Sequence, residues 1–307
     1  MALMNRAKYS DLQFSRLAML DELMMARWNQ HPPMFSQLFN VRSSNRAFEE
    51  LTQMSGFGLF TTKAEGDNVE YDTIYQGFNK RHQHLTFAKG FQVSMELSDD
   101  DLDGLIAKAG PELARSGSTS VEYYAWDVLN NGFSTGSGDA TSKTPDALTL
   151  FNTHIGFGPE APQIGNQAAA DLAVGTLETG LNAFANMVDE RNLLIALQPR
   201  KLVVPNEGRW IATEILKSQL RSDTTDNATN AFNQVGLDIM VVPYITDNDA
   251  WFLFSDKSDH RLLFYWRMQP TTDGAVDFDS GNIKNKLTFR CVAGAGDYRG
   301  CYGSRGA

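Results

Sequence analysis

The segment from Asn68 to Met95 constrains this chain most: it alternates like β-strand but carries few side chains large enough to hold strands together. Alternation runs over Asn68–Tyr75 and again over Leu85–Met95, with a basic, polar piece, Asn79-Lys80-Arg81-His82-Gln83-His84, between them. The pattern predicts two strands of an antiparallel hairpin or long loop, with a solvated tip at 79–84. A hairpin with few core-sized residues on one face is marginal by itself in water. It is expected to lean on something else.

The remainder of the chain can supply a core. It has 307 residues, 42% of them hydrophobic and 21% charged, an ordinary globular balance. The net charge of −10, from 27 Lys+Arg against 37 Asp+Glu, argues against a protein whose main task is to grip phosphates. No stretch reaches the roughly 18–20 uninterrupted apolar residues of a membrane helix, so no membrane partner is expected. Leu17–Met25 is interrupted by Asp21 and Glu22 and has no small-residue cleavage site after it, so no export signal is read there. Cys291 and Cys301 are too few for a disulfide framework and lack zinc-site spacing. Reduced cytoplasmic thiols are expected, with one local disulfide as the alternative.

Helical spacing of Leu12, Leu17, Leu20, Leu23, Met24 and Trp28 predicts an amphipathic helix over 9–30, ended by Pro32-Pro33. An extended arm to Ser44 and a short helix over Arg46–Met54 follow. From Ser98, with Asp99, Asp100 and Asp101 in the first turn, a long helix is expected through Leu129. It either bends at Gly110-Pro111 or divides in two at a capping box of Thr119 and Glu122. Residues 132–170 read as surface loops. Beyond them come a helix at 176–191, a strand at 201–204, a helix at 207–220, a polar loop at 222–234, and strands at 237–242, 250–254, 261–268 and 283–292. Helices and strands interleave without regular βαβ alternation, so the fold class is α+β.

Catalytic strings are few and misplaced. Gly132-Phe133-Ser134-Thr135-Gly136 has the spelling of a serine-hydrolase elbow, but it follows a helix and opens a loop, where the strand-to-helix turn that exposes the nucleophile is missing. His82 and His84 share a strand face, yet no carboxylate at suitable spacing completes a metal site. Asp99–Asp103 lacks the ligand spacing of a calcium loop. Gly294-Ala295-Gly296-Asp297-Tyr298-Arg299-Gly300 misplaces the third glycine of a dinucleotide fingerprint. No enzyme activity, cofactor or metal is expected, and a hydrolase using Ser134 is kept as the alternative of a different class.

Four segments, in order, resemble a known family. They are Thr86-Phe87-Ala88-Lys89-Gly90-Phe91-Gln92-Val93-Ser94 with Asp99-Asp100-Asp101-Leu102; Asp189-Glu190-Arg191 with Leu197-Gln198-Pro199-Arg200-Lys201-Leu202-Val203-Val204-Pro205; Pro243-Tyr244-Ile245-Thr246-Asp247-Asn248-Asp249-Ala250-Trp251-Phe252-Leu253; and Gly296-Asp297-Tyr298-Arg299-Gly300. Together they resemble the major capsid protein of tailed bacteriophages, in particular the Mu-like major head subunit family, whose fold recurs in encapsulin shells and the herpesvirus capsid floor.

The resemblance implies an N-terminal arm (1–52) across neighbouring subunits, an extended loop (53–95) over the adjacent subunit, a peripheral domain (96–195 and 262–292) around the long spine helix, and an axial domain (196–261 and 293–307). It implies a virion shell of pentamers and hexamers around double-stranded DNA, assembled in the host cytoplasm. Implied partners are other copies of the chain, a separate scaffold, a portal and a possible decoration protein. An encapsulin-like or gene-transfer-agent shell is the alternative. Subunit-interface residues are expected among Trp28, Phe35, Tyr71, Tyr75, Lys80, Arg81, Phe87 and Lys89. The net charge resides in residues 97–195, with four Lys+Arg against fourteen Asp+Glu. That acidic third is expected to keep enclosed DNA from adhering to the wall.

Overall fold

Lys201–Val204 and Trp251–Phe254 are apolar at nearly every position, the composition of strands covered on both faces. A computed structural model, which describes residues 20–30, 32–94, 96–97, 100, 105–133, 141–159, 161–219 and 230–307, shows what covers them. In chain order the strands are β1 (Asn40–Ser43), β2 (Phe48–Met54), β3 (Gln76–Gln83), β4 (Leu85–Val93), β5 (Thr153–Ile155), β6 (Gln163–Gly165), β7 (Gln167–Ala168), β8 (Lys201–Val204), β9 (Asp238–Val241), β10 (Trp251–Phe254), β11 (Leu262–Val276), β12 (Ile283–Ala295) and β13 (Cys301–Ser304). The helices are α1 (20–29), α2 (Leu105–Asn130), α3 (Val174–Ala185) and α4 (Arg209–Lys217).

One sheet has the order β7-β13-β10-β8-β9. Successive side chains of a strand point to opposite faces. Val203, Phe252 and Phe254 therefore enter the main core with α2, while Leu202, Val204, Trp251 and Leu253 enter a second core under α3 and α4. Leu177 and Phe184 of α3 belong to that second core. Helix α3 thus packs with residues of β8, β10 and β13.

The second sheet, β1-β11-β12-β4, lies beside the long helix. Helix α2 is continuous across Pro111. Its Gly117 makes room for its neighbours: a Cβ there would stand 2.6 Å from Leu287 and 2.9 Å from the Trp28 ring. That approach lets α1 bury Met24 against Leu113, Ala114 and Leu287.

Several expectations change. Of the expected helix at 46–54, Phe48–Met54 forms strand β2 instead; Phe48–Thr52 pair one by one with Gln83–Asn79 of β3, and Phe48 and Leu51, three apart, mimic a helical stripe. The expected arm packs on its own subunit over its described part, because β1 runs parallel to β11 and Phe35, Leu38 and Phe39 fill the main core. The carboxylate of Glu122 secures it, accepting from the N–H groups of Met34 (2.5 Å) and Phe35 (3.2 Å) and from Trp126 Nε1 (2.8 Å). Burial pushes the pKa of Glu122 up despite those three donors. Strand β11 runs past 268 because β12 continues to pair with it as far as Val276. Strand β13, unforeseen, lies between β7 and β10. The polar loop expected at 222–234 lies outside the described residues up to 229 and ends in a short 3-10 turn at Ala231–Gln234.

Ala147 adopts a φ of +65°, a region disfavoured for residues with a Cβ. We expect Ala147→Gly to raise stability by about 1 kcal/mol, read as a higher urea midpoint at unchanged slope.

Candidate assembly surface

The alternating segment is divided between two structures. Strand β3 pairs with β2 in a two-stranded ribbon, whereas β4 joins the second sheet against β12. The turn of the ribbon is therefore residues 55–75, not 79–84. Alternation identifies strands but not their partners. The ribbon closes where Ser55 N donates to Tyr75 O and Tyr75 N donates to Ser55 Oγ, both at 2.8 Å.

Lys80, His82 and His84 of the basic piece are consequently turned inward, while Asn79, Arg81 and Gln83 stay exposed. Lys80 Nζ donates to the backbone carbonyls of Ala295, at 3.2 Å, and Lys143. Burial pushes its pKa down to about 7, with Lys143 adding to the effect and Asp146 opposing it. The His82 ring lies over Gly294, where a Cβ would stand 2.4 Å from it. Its pKa falls to about 3, through burial first and then the charges of Lys80 and His84. His84 Nε2 lies 3.3 Å from Ser44 Oγ. These histidines root the ribbon instead of forming a solvated tip. Among the described residues, no group of three or more His, Cys, Asp or Glu side chains could hold a metal ion.

The loop beyond this root is open and apolar. Phe60 is 100% exposed, Tyr71 92% and Leu59 81%, with Met54, Phe57 and Val69 also exposed. Soluble chains seldom present so many large apolar groups together unless the surface meets a partner. Elsewhere, Phe278 is fully exposed between β11 and β12, and Trp210 is exposed on α4.

Of the interface residues expected from sequence, Tyr71, Tyr75, Arg81 and Lys89 reach solvent. Arg81 lies 3.6 Å from Glu50 and over the Phe48 ring. Tyr75 lies under the guanidinium of Arg191. Trp28 and Phe87 pack against Phe289 at centroid distances of 5.8 and 5.2 Å, and Phe35 is a core residue stacked near Phe264. Leu59, Phe60 and Phe278 were missed. A legible signal was present for the first two: bulky apolar residues inside a stretch of Gly, Thr and acidic residues. Ser134 lies outside the described residues.

Two of the resembling segments meet where the loop leaves the body. Arg299 donates from Nη2 to Glu190 Oε1 at 2.6 Å and from Nε to Val188 O at 3.2 Å, and Asp297 stands 3.4 Å from its Nη1. Burial alone would lower the pKa of Arg299; Asp297, Tyr298 and Glu190 outweigh it and raise it. Glu190 Oε2 also accepts from Phe157 N at 3.1 Å. The neighbouring Arg191 reaches the loop, donating from Nη2 to Asp72 Oδ1 at 3.0 Å and to Thr73 O at 2.5 Å.

The acidic third is partly consumed by such work. Glu122 and Glu190 are buried and bonded, and Asp146 pairs with His154 at 2.7 Å. Burial raises the pKa of Asp146, but hydrogen bonds from His154 and Thr144 outweigh it and hold it below the usual range.

A ribbon rooted in the body carries an exposed apolar loop outward. The family model described as phage capsid protein matches residues 80–304, and the chain belongs to that family. Solved structures share the fold at low identity. The capsid of a native GTA particle is 12% identical with a TM-score of 0.57, covering 90% of this chain and 91% of that one. The bacteriophage JBD30 capsid is 13% identical at 0.55, covering 71% and 92%. The virus-like particle from Pyrococcus furiosus is 13% identical at 0.52, covering 94% and 99%. A search of curated proteins finds no match. The chain is thus a structural shell protein that associates with copies of itself in a capsid.

Proposed function

We propose that the subunit builds pentamers and hexamers of an icosahedral phage head that encloses double-stranded DNA with weak contact, assembling in the host cytoplasm. A separate scaffold, a portal and a possible decoration protein are its further partners in this reading. The observation that carries it is the loop 55–75. Leu59, Phe60, Val69 and Tyr71 are exposed on a segment held only at its root, and burial on an adjacent subunit supplies the missing apolar partner. A shell requires such head-to-tail contacts, since a self-complementary patch closes only pairs. In this reading the axial domain comprises the five-stranded sheet with α3 and α4, and the peripheral domain comprises α2 with β11, β12 and β4.

Electron microscopy of the expressed wild-type chain, with scaffold if one is encoded nearby, is expected to show closed shells. Leu59→Ser with Phe60→Ser is expected to leave the thermal midpoint of the subunit within about 2 °C, because exposed substitutions cost little, while abolishing shells. Normal shells from that variant would remove the loop from the contact. Likeness to the GTA capsid and the Pyrococcus particle supports a second reading, a gene-transfer-agent or encapsulin-like shell. Particles with protein cargo and no DNA would favour an encapsulin-like shell. Neighbouring portal and terminase genes would favour the phage-type assemblies.

A further inference from the structure

The structure assigns to Arg191 the role of fixing the direction in which loop 55–75 leaves the subunit. Its side chain is only 9% exposed and holds three points on the loop. Nη2 donates to Asp72 Oδ1 (3.0 Å) and Thr73 O (2.5 Å), and Nε donates to Gly56 O (3.4 Å), so one planar group ties both ends of the loop together. Its guanidinium carbon also stands 4.8 Å from the centroid of Tyr75. Asp72 passes the restraint inward, because its other oxygen accepts from Gly58 N at 2.8 Å.

The mounting of Arg191 is rigid. Asp189 Oδ1 accepts from the N–H groups of Arg191 (2.8 Å) and Leu193 (2.9 Å), closing a turn in which Asn192 takes a φ of +62°. The intervening Glu190 is fastened to Arg299. The loop is thereby referred to the body through a chain of charge-assisted hydrogen bonds, which are stronger and more directional than neutral ones. Apolar groups at the end of a ribbon meet a neighbour only if the ribbon points correctly. This inference rests on the loop being the assembly contact.

The test uses the full chain as Arg191→Ala, Arg191→Lys and Asp72→Asn, held unassembled at low concentration and then brought to assembly conditions. Amide exchange at Gly58 and Tyr75 is expected to accelerate about ten- to a hundredfold in Arg191→Ala, the range set by losing a charge-assisted hydrogen bond. The thermal midpoint is expected to stay within about 3 °C of wild type. Asp72→Asn should free the loop at Gly58, and Arg191→Lys, which keeps the charge but loses the fork, should restore protection only partly. Assembly by Arg191→Ala should yield open or irregular products. Unchanged exchange in Arg191→Ala and Asp72→Asn would overturn the clamp. A freed loop together with normal closed shells would overturn its role in direction. A wild-type chain that forms no shells would instead refute the assembly reading, leaving the exchange result to judge the clamp separately.

Discussion

Arg299→Met is expected to cost about 3–5 kcal/mol and to lower the thermal midpoint by about 5–8 °C. The reason is the carboxylate left behind. Glu190 is 6% exposed, and its two oxygens are occupied by Arg299 and Phe157 N–H. Removing one member of a buried pair strands the other charge, which is worse than removing both. A chain of 307 residues converts each kcal/mol into about 1.5 °C. Glu190→Gln combined with Arg299→Met should therefore recover most of the loss, since Gln keeps an acceptor for Phe157 N–H. Urea titration of the four proteins forms a double-mutant cycle. A double variant no more stable than Arg299→Met would show that the stranded charge is not the cause.

Acid is expected to begin destabilising the fold as pH falls below about 6.5, before the carboxylates of ordinary pKa are protonated. His82 titrates at about 3 and His260 at about 4 in the folded chain, both held neutral chiefly by burial. The ordinary value near 6.5 applies once the chain unfolds. Between these values the unfolded state binds protons that the folded state refuses, so stability falls as pH falls, by up to about 1.4 kcal/mol per pH unit for each histidine. The contribution is fully present above 6.5. Glu122, with its raised pKa, works in the opposite direction, and Lys80 adds a separate decline as pH drops from about 10.5 towards 7. Urea midpoints measured from pH 8 to pH 4 should fall steadily, and His82→Gln should flatten the curve. A profile level down to pH 4.5 in the wild type would contradict the burial of these rings.

The degree to which the fold was legible follows where the information lies. Strand β8 was read at its observed limits because both of its faces are buried, which leaves an unbroken apolar run between polar neighbours. Strand β2 was misread because its identity depends on β3, which lies beyond a long loop. The loop's position slipped for the same reason: local alternation is equally consistent with either pairing. The electrostatic junction was half visible. Asp189-Glu190-Arg191 and Asp297-Tyr298-Arg299 stood out as strings, yet Glu190 and Arg299 are 109 residues apart and nothing local brings them together. Lys80 and His82 read as a solvated tip because basic residues usually seek water; the contacts that bury them come from residues 143 and 294–295.

The junction between β3 and β4 has a mechanical consequence. Only His84 separates Gln83, the last residue of the ribbon strand, from Leu85, the first residue of a strand in the body sheet. Tension applied to the loop tip passes along the backbone directly into β4. There nine residue pairs, Leu85–Val93 against Ile283–Cys291, carry it side by side. A load along a strand strains all those hydrogen bonds at once, whereas peeling breaks them singly. The subunit is thus built so that a pull between neighbours is resisted in shear by this nine-pair strand pairing, and the weak ribbon acts as a tether with no need to be strong.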